Sequence, residues 1–235
     1  MQLNNNTKYW GLGYTLLISL IVFSVFGLVQ SFTVFFLSKV TYNLDIETIQ
    51  YTYLGSISVV SSLLGLFCLF TFIKLKRIDI KQYLNLSSPN INLLFFFIVL
   101  SFSLMFLMEL VSNKYPEMFK TDFMIESYKN TNSIFLLYLG VGLCGPFFEE
   151  CLFRGFLFKG LEKSNIGGHG AVFISSILFS LVHLQYRLWI IILIIFPMAL
   201  LLGYSRLKSG SLLLPIIIHA INNTLTCVVT HFEIY

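Results

Sequence analysis

The run Gly145-Pro146-Phe147-Phe148-Glu149-Glu150-Cys151-Leu152-Phe153-Arg154 puts two adjacent carboxylates and a guanidinium into an otherwise apolar stretch. From 133 to 158 there is no other charge. A continuous apolar segment of about 20 residues is the length that crosses a bilayer as a helix. A charge at bilayer depth is costly on every scale, so a carboxylate there marks function by default. Two side by side are poorly explained by packing.

The rest of the chain has the same character. It has 235 residues, 57% hydrophobic and 11% charged, where a soluble domain carries roughly 25% charged residues. So much apolar surface does not fit inside a soluble core. The expectation is an all-α, polytopic bundle of about seven transmembrane helices (six to eight), in one domain, with the lipid bilayer as surroundings and the cell membrane as location. The net charge of +4 comes from basic residues at span ends. That is the signature of loop topology and excludes a nucleic-acid partner. Cys68, Cys144, Cys151 and Cys227 lie scattered in apolar stretches, without a Cys-x-x-Cys pair, and read as packing residues. Residues 9–38 contain no charge. This is too long for a cleaved signal's short apolar region, so it reads as a permanent first span.

Seven apolar segments stand out, at about 10–37, 51–73, 91–112, 133–158, 170–186, 188–205 and 211–230. Short polar joints separate them, including Asn43 to Glu47, Lys74 to Asn90, 113–132 and the tight Gln185-Tyr186-Arg187. Residues 1–132 are N-terminal transmembrane helices of unassigned role, and 133–230 is the expected catalytic core of four transmembrane helices. With a cytoplasmic N-terminus, the inner joints hold Lys8, Lys74, Lys76, Arg77, Lys81, Lys159, Lys163, Arg206 and Lys208. The outer joints hold Lys39, Lys114, Lys120, Lys129 and Arg187. The bias favours that orientation.

Two further polar sites fall within spans. His183 lies about 13 residues into the fifth, some 20 Å deep at about 1.5 Å per residue. His219 and Asn223 are four apart in the last span and share a helix face. Depths counted from the inner ends put Glu149, His183 and His219 in the middle third of the bilayer. Taken singly, each group has a structural reading. A histidine can be a helix–helix hydrogen-bond partner, Asn222 and Asn223 can be polar glue, and Glu150 with Arg154 is an i,i+4 ion pair. Together they go beyond what glue requires, and a shared cavity, open towards the cytoplasm, is expected. His169 reads as a loop residue, Glu109 as reaching the interface, and His231 and Glu233 as tail. Pro146 and Pro197 are expected to kink their helices, and Pro146 leaves a backbone carbonyl without its helical donor.

A sheltered carboxylate with imidazoles beside it can activate water, and a histidine or asparagine donor can stabilise an oxyanion. The same set could hold zinc through His183, His219 and Glu149. Other intramembrane protease chemistries are excluded by inspection. There is no His-Glu-x-x-His, no Gly-x-Ser-Gly, and Asp45, Asp79 and Asp122 all lie in joints.

Glu149-Glu150-x-x-x-Arg154, Phe179-x-x-x-His183 and His219-x-x-x-Asn223 resemble, in order and spacing, the three motifs of the CPBP intramembrane proteases. This family comprises CAAX prenyl endopeptidases and bacteriocin-processing (Abi) enzymes. The resemblance covers roughly 133–225. It implies that Glu149 activates water with His183 at its side, that His219 and Asn223 form the oxyanion site, and that Glu150 and Arg154 support them. Asparagine is a poor zinc ligand, and its place on the face of His219 favours the donor role and metal-free chemistry. The substrate would be a peptide or membrane protein. Asparagine-, isoleucine- and phenylalanine-rich usage looks like a low-GC bacterium. The resemblance there implies bacteriocin self-immunity, peptide-pheromone maturation or surface-protein handling. The alternatives are a membrane immunity or scaffold protein without proteolysis, and a small proton-coupled transporter, against which the absence of internal repeats counts.

Overall fold

The computed structural model describes residues 9–41, 44–119 and 122–234, without the side chains of Asp122, Glu233 and Ile234. Lys8, Asn43 and Lys120, used in the joint assignments above, lie outside the described residues, as do those of the Asp122 and Glu233 side chains. Among the described residues every regular element is helical. In chain order these are α1 (Leu12–Val40), α2 (Ile46–Leu75), α3 (Ile80–Leu84), α4 (Ile91–Lys114), α5 (Pro116–Phe119) and α6 (Asp122–Asn130). They continue as α7 (Ile134–Glu162), α8 (Gly167–Leu181), α9 (Leu188–Ser209) and α10 (Leu213–Ile234). Six of them, α1, α2, α4, α7, α9 and α10, are long and apolar enough to cross a membrane. The chain is a multi-pass, all-α membrane bundle.

Helix starts follow from capping chemistry. Asp45 accepts from the Thr48 amide at 2.7 Å at the head of α2, and Asn90 accepts from Asn92 at 2.8 Å at the head of α4. The Asp45 carboxyl is held below its usual range by those bonds from Thr48. Exposed Phe32, Phe35 and Phe36 on α1 and Phe95, Phe96 and Phe106 on α4 form faces that suit lipid contact.

The fifth segment departs from expectation. α8 has 15 residues, about 22 Å at 1.5 Å per residue, short of the roughly 30 Å hydrocarbon thickness. Its C-terminus is closed by a side chain. The His183 Nδ1 bonds the Phe179 carbonyl at 2.8 Å, taking one of the last-turn acceptors that a longer helix would have satisfied by backbone. His183 therefore sits in the turn after α8 and not within a continuous span. His169 is in the first turn of α8, its ring 5.8 Å from that of Tyr204, and not in a loop. His231 belongs to the last turns of α10. Glu109 bonds Asn113 near the end of α4.

Both expected prolines disturb their helices in the same way. The segment Tyr138–Cys144 is π-helical and precedes Pro146, and Ile191–Ile195 is π-helical and precedes Pro197. Gly145 N–H bonds the Gly140 carbonyl five residues back. In that register the Val141 carbonyl would take its proton from residue 146, which as proline has none.

The end that carries the 76–90 joint is closely packed. There Tyr83, Leu84, Phe156, Phe158, Leu161 and Leu212 form one buried cluster. The joint is drawn in by Leu212 N–H to the Asn85 carbonyl at 3.0 Å and by Ser211 Oγ to the Ser87 carbonyl. Arg206, expected in a joint, is buried near the end of α9, donating from Nε to the Arg154 carbonyl at 3.1 Å. Where α2 crosses α7, Gly55 and Gly140 meet backbone to backbone. A Cβ on Gly55 would lie 2.3 Å from the Leu136 carbonyl carbon, and one on Gly140 would lie 2.5 Å from the Gly55 oxygen. Small residues at such crossings are the usual means of close helix approach in membranes.

Gly55→Val is expected to cost at least the roughly 1–3 kcal/mol of ordinary overpacking, because the clash is with backbone that cannot rotate away. Thermal unfolding of the purified protein in detergent checks this. An unchanged melting temperature would mean that the helices do not cross so closely.

Candidate functional site

Four helices bring the polar residues together. α7 supplies Glu149, Glu150 and Arg154, the α8 turn supplies His183, α10 supplies His219, Asn222 and Asn223, and α9 supplies a backbone carbonyl. Glu150 and Arg154 are fully buried. Glu150 Oε1 accepts from Arg154 Nη1 at 3.0 Å and lies 2.8 Å from His219 Nδ1. Arg154 Nη2 donates to the Ala199 carbonyl at 3.0 Å, and its guanidinium lies 4.2 Å from the Phe179 ring centre. Glu150 Oε2 and Arg154 Nε have no hydrogen-bond partner among the described residues.

Because Glu150 Oε1 accepts from a guanidinium, His219 Nδ1 is the donor in its bond to that oxygen. This leaves Nε2 as the ring atom facing the other glutamate, 3.8 Å from Glu149 Oε2. The expected i,i+4 ion pair is present, but its carboxylate also grips His219. Pairing with Arg154 alone understated the role of Glu150.

Glu149 is part-exposed, and the exposure is into a cavity of about 390 Å³. Glu149, His183 and Asn223 all line it, with Tyr186 beside them. His219 reaches Glu149 from behind the wall. The four residues expected at one site are thus brought to one place. Asn223 Nδ2 donates to the Val141 carbonyl at 3.0 Å, the carbonyl that Pro146 deprives of a backbone donor. One amide proton is committed there, and the other remains for the cavity. Asn222 is glue, accepting from Ser101 Oγ of α4 at 2.8 Å and contacting Met198 Sδ at 3.1 Å.

Tyr186 is a residue that the sequence reading passed over as part of a joint. Its ring stacks on His183, with centroids 6.4 Å apart and planes 20° apart, and its edge meets Phe123. Burial, and then the Glu149 charge, push its hydroxyl up to about 12, so it stays a protonated donor beside that carboxylate. Its position three residues after His183, in the same turn, was the available signal.

The side on which the cavity lies differs from expectation. Its walls come from residues 50–62 of α2, 23–34 of α1, Phe123 and Met124 of α6, 140–153 of α7, Asn223 of α10 and the 182–186 turn. The lining runs from the middle of the bundle towards the end opposite the basic 76–90 joint. The basic end is occupied by the buried aromatic cluster, and the cavity's lining lies away from the side that the Lys and Arg count calls cytoplasmic.

The zinc alternative finds no gathered ligand set. The Nδ1 atoms of His183 and His219 are held by Phe179 and Glu150, which leaves each Nε2 free, so the imidazoles by themselves do not decide it. Among the described residues no three His, Cys, Asp or Glu side chains are gathered as a metal-ligating group. The residues present do not fit a three-ligand site.

Residues 131–225 match the family model described as Rce1-like, type II CAAX prenyl endopeptidase. The chain is also 31% identical over 99 residues to an uncharacterized 24.3 kDa protein of Escherichia coli, an alignment covering 41% of this chain and 45% of that protein. The match thus spans less than half the length of this curated relative. No solved structure matches. The family match covers less than half of the chain and falls on the segment whose three motifs resemble the CAAX proteases.

Asn223→Leu is expected to strand the Val141 carbonyl and to destabilise by about 1–3 kcal/mol, the cost of an unpaired buried acceptor. Adding Pro146→Ala, which restores a backbone N–H, should recover part of that loss. Melting temperatures of the two single variants and the double variant check this. Strict additivity would dissociate Asn223 from the proline.

Proposed function

We propose that the chain is an intramembrane endopeptidase in which Glu149 activates the attacking water. The observation that carries this reading is a cavity-facing carboxylate with a histidine nitrogen 3.8 Å away, that histidine being fixed from behind by a second, buried carboxylate. The match of residues 131–225 to a protease family model supports it.

In this reading water attacks the scissile carbonyl carbon and its proton passes to Glu149. The developing oxyanion is met by the free amide proton of Asn223, by Tyr186 O–H, and by His219 Nε2 when that nitrogen also carries a proton. Collapse breaks the C–N bond as Glu149 returns the proton to the departing nitrogen. His183, its Nδ1 fixed on the Phe179 carbonyl, turns Nε2 towards the water. Glu150 and Arg154 act through His219 and hold it in position. Residues 133–230 form the catalytic core, while the helices before them complete the cavity wall.

The orientation with a cytoplasmic N-terminus in the cell membrane rests on the basic joints. With it, the cavity lies nearer the outer face, which suits bacteriocin self-immunity, peptide-pheromone maturation or surface-protein handling.

Glu149→Gln should lower peptide cleavage at least about 100-fold while expression and melting temperature hold, since an amide keeps the shape but takes no proton. Near-normal cleavage would remove Glu149 as the base. Arg154→Ala should lose about 3–5 kcal/mol of stability by leaving Glu150 buried and unpaired. Normal yield with full activity in that variant would contradict the positioning role.

A further inference from the structure

About half of the cavity wall comes from residues before 131, outside the segment that matches the protease family. Two stripes supply most of it, with Phe123 and Met124 of α6 adding the rest. α1 contributes Phe23, Phe26, Gly27, Gln30 and Val34, and α2 contributes Gln50, Leu54, Ile57, Ser58 and Ser62, each at helical spacing. Most of these side chains are apolar, as a span requires. Gln30, Gln50, Ser58 and Ser62 are not, and polar groups inside a span are expensive unless something uses them.

Ser62 is fully buried, and its Oγ has no hydrogen-bond partner among the described residues. Gln50, Ser58 and Ser62 lie on one row of α2, at steps of eight and four residues. Four residues of helix advance about 6 Å. Two residues of extended peptide advance about 6.6 Å, and amides facing one side of a strand recur at that interval. Ser58 and Ser62 are therefore spaced at nearly the interval of a strand's hydrogen-bonding edge, and Gln50 stands two such steps away, beyond Leu54.

We propose that the α2 row Gln50, Ser58 and Ser62, with Gln30 opposite on α1, is a subsite for the main chain of an extended apolar peptide. This rests on the proteolytic reading and names its substrate class. A peptide must leave its helix to present a scissile bond, and at bilayer depth no water satisfies its freed amides. Hydroxyls and carboxamides both donate and accept, so they pair with either main-chain group. The surrounding Phe23, Phe26, Leu54 and Ile57 receive apolar side chains.

The test uses a pooled library of apolar decapeptides and the full-length protein in bicelles. Binding is read by enrichment on immobilised Glu149→Gln protein, with and without Gln50→Leu plus Ser62→Ala, and in parallel with Gln30→Leu. The best-retained peptide is then resynthesised with single backbone N-methyl groups. With the wall intact, one or two N-methyl positions should weaken binding at least about tenfold. The wall variants should bind the unmethylated peptide about tenfold more weakly and lose that position dependence, with melting temperatures unchanged. In wild-type cleavage the same loss should appear in KM. Equal binding, or the same N-methyl sensitivity, in folded wall variants would overturn the subsite. Retention by the intact wall without any cleavage by the wild type would sink the proteolytic reading and leave the subsite standing.

Discussion

Glu150 Oε1 is shared between the Arg154 guanidinium and the His219 ring, with no exposure to solvent. Burying a carboxylate obliges the chain to bring both partners to it, since an unpaired charge in low dielectric would be intolerable. That obligation ties α7 to α10 directly, to α9 through Arg154 and the Ala199 carbonyl, and to α8 through the Phe179 ring. It also fixes which nitrogen of His219 faces Glu149. The two adjacent glutamates thus sit in different environments. One is locked in the protein between Arg154 and His219, while the other faces the cavity.

A second constraint comes from Pro146. By withholding an N–H it leaves the Val141 carbonyl open, and Asn223 fills the gap from α10. The π-helical turns before and after Glu149 widen α7 locally, as such turns do at functional sites. The backbone irregularity and the side chains are therefore one device, since irregular backbone at membrane depth survives only where protein or a cavity satisfies it.

Charge and hydropathy made much of this legible beforehand. Six of the seven apolar segments are spanning helices close to the expected bounds, and the polar residues meet because carboxylates and imidazoles in a bilayer have few other places to go. The fifth segment misled because the apolar run of α8 continues through Leu181 and Val182 without a break signal, and hydropathy does not show that a histidine side chain has replaced the next backbone donor. Tyr186 was passed over because it was read as a joint residue, although it lies three residues from His183, and its other partner, Phe123, is distant in sequence. The cavity's side was misjudged because depth was counted from span ends. Those counts say nothing of which end is plugged, and the plug is made by Tyr83, Phe156 and Phe158, three unremarkable aromatics. Glu150's bond to His219 joins residues 69 apart, a pairing that no local spacing encodes.

The central claim is that Glu149 delivers water to a peptide carbonyl without a metal. Cleavage in ¹⁸O-enriched water, with a strong zinc chelator present throughout, tests it most directly. The account predicts a single ¹⁸O in the new C-terminal carboxyl group at an undiminished rate, and no product from the Glu149→Gln protein. Cleavage that chelation abolishes and stoichiometric zinc restores would contradict it.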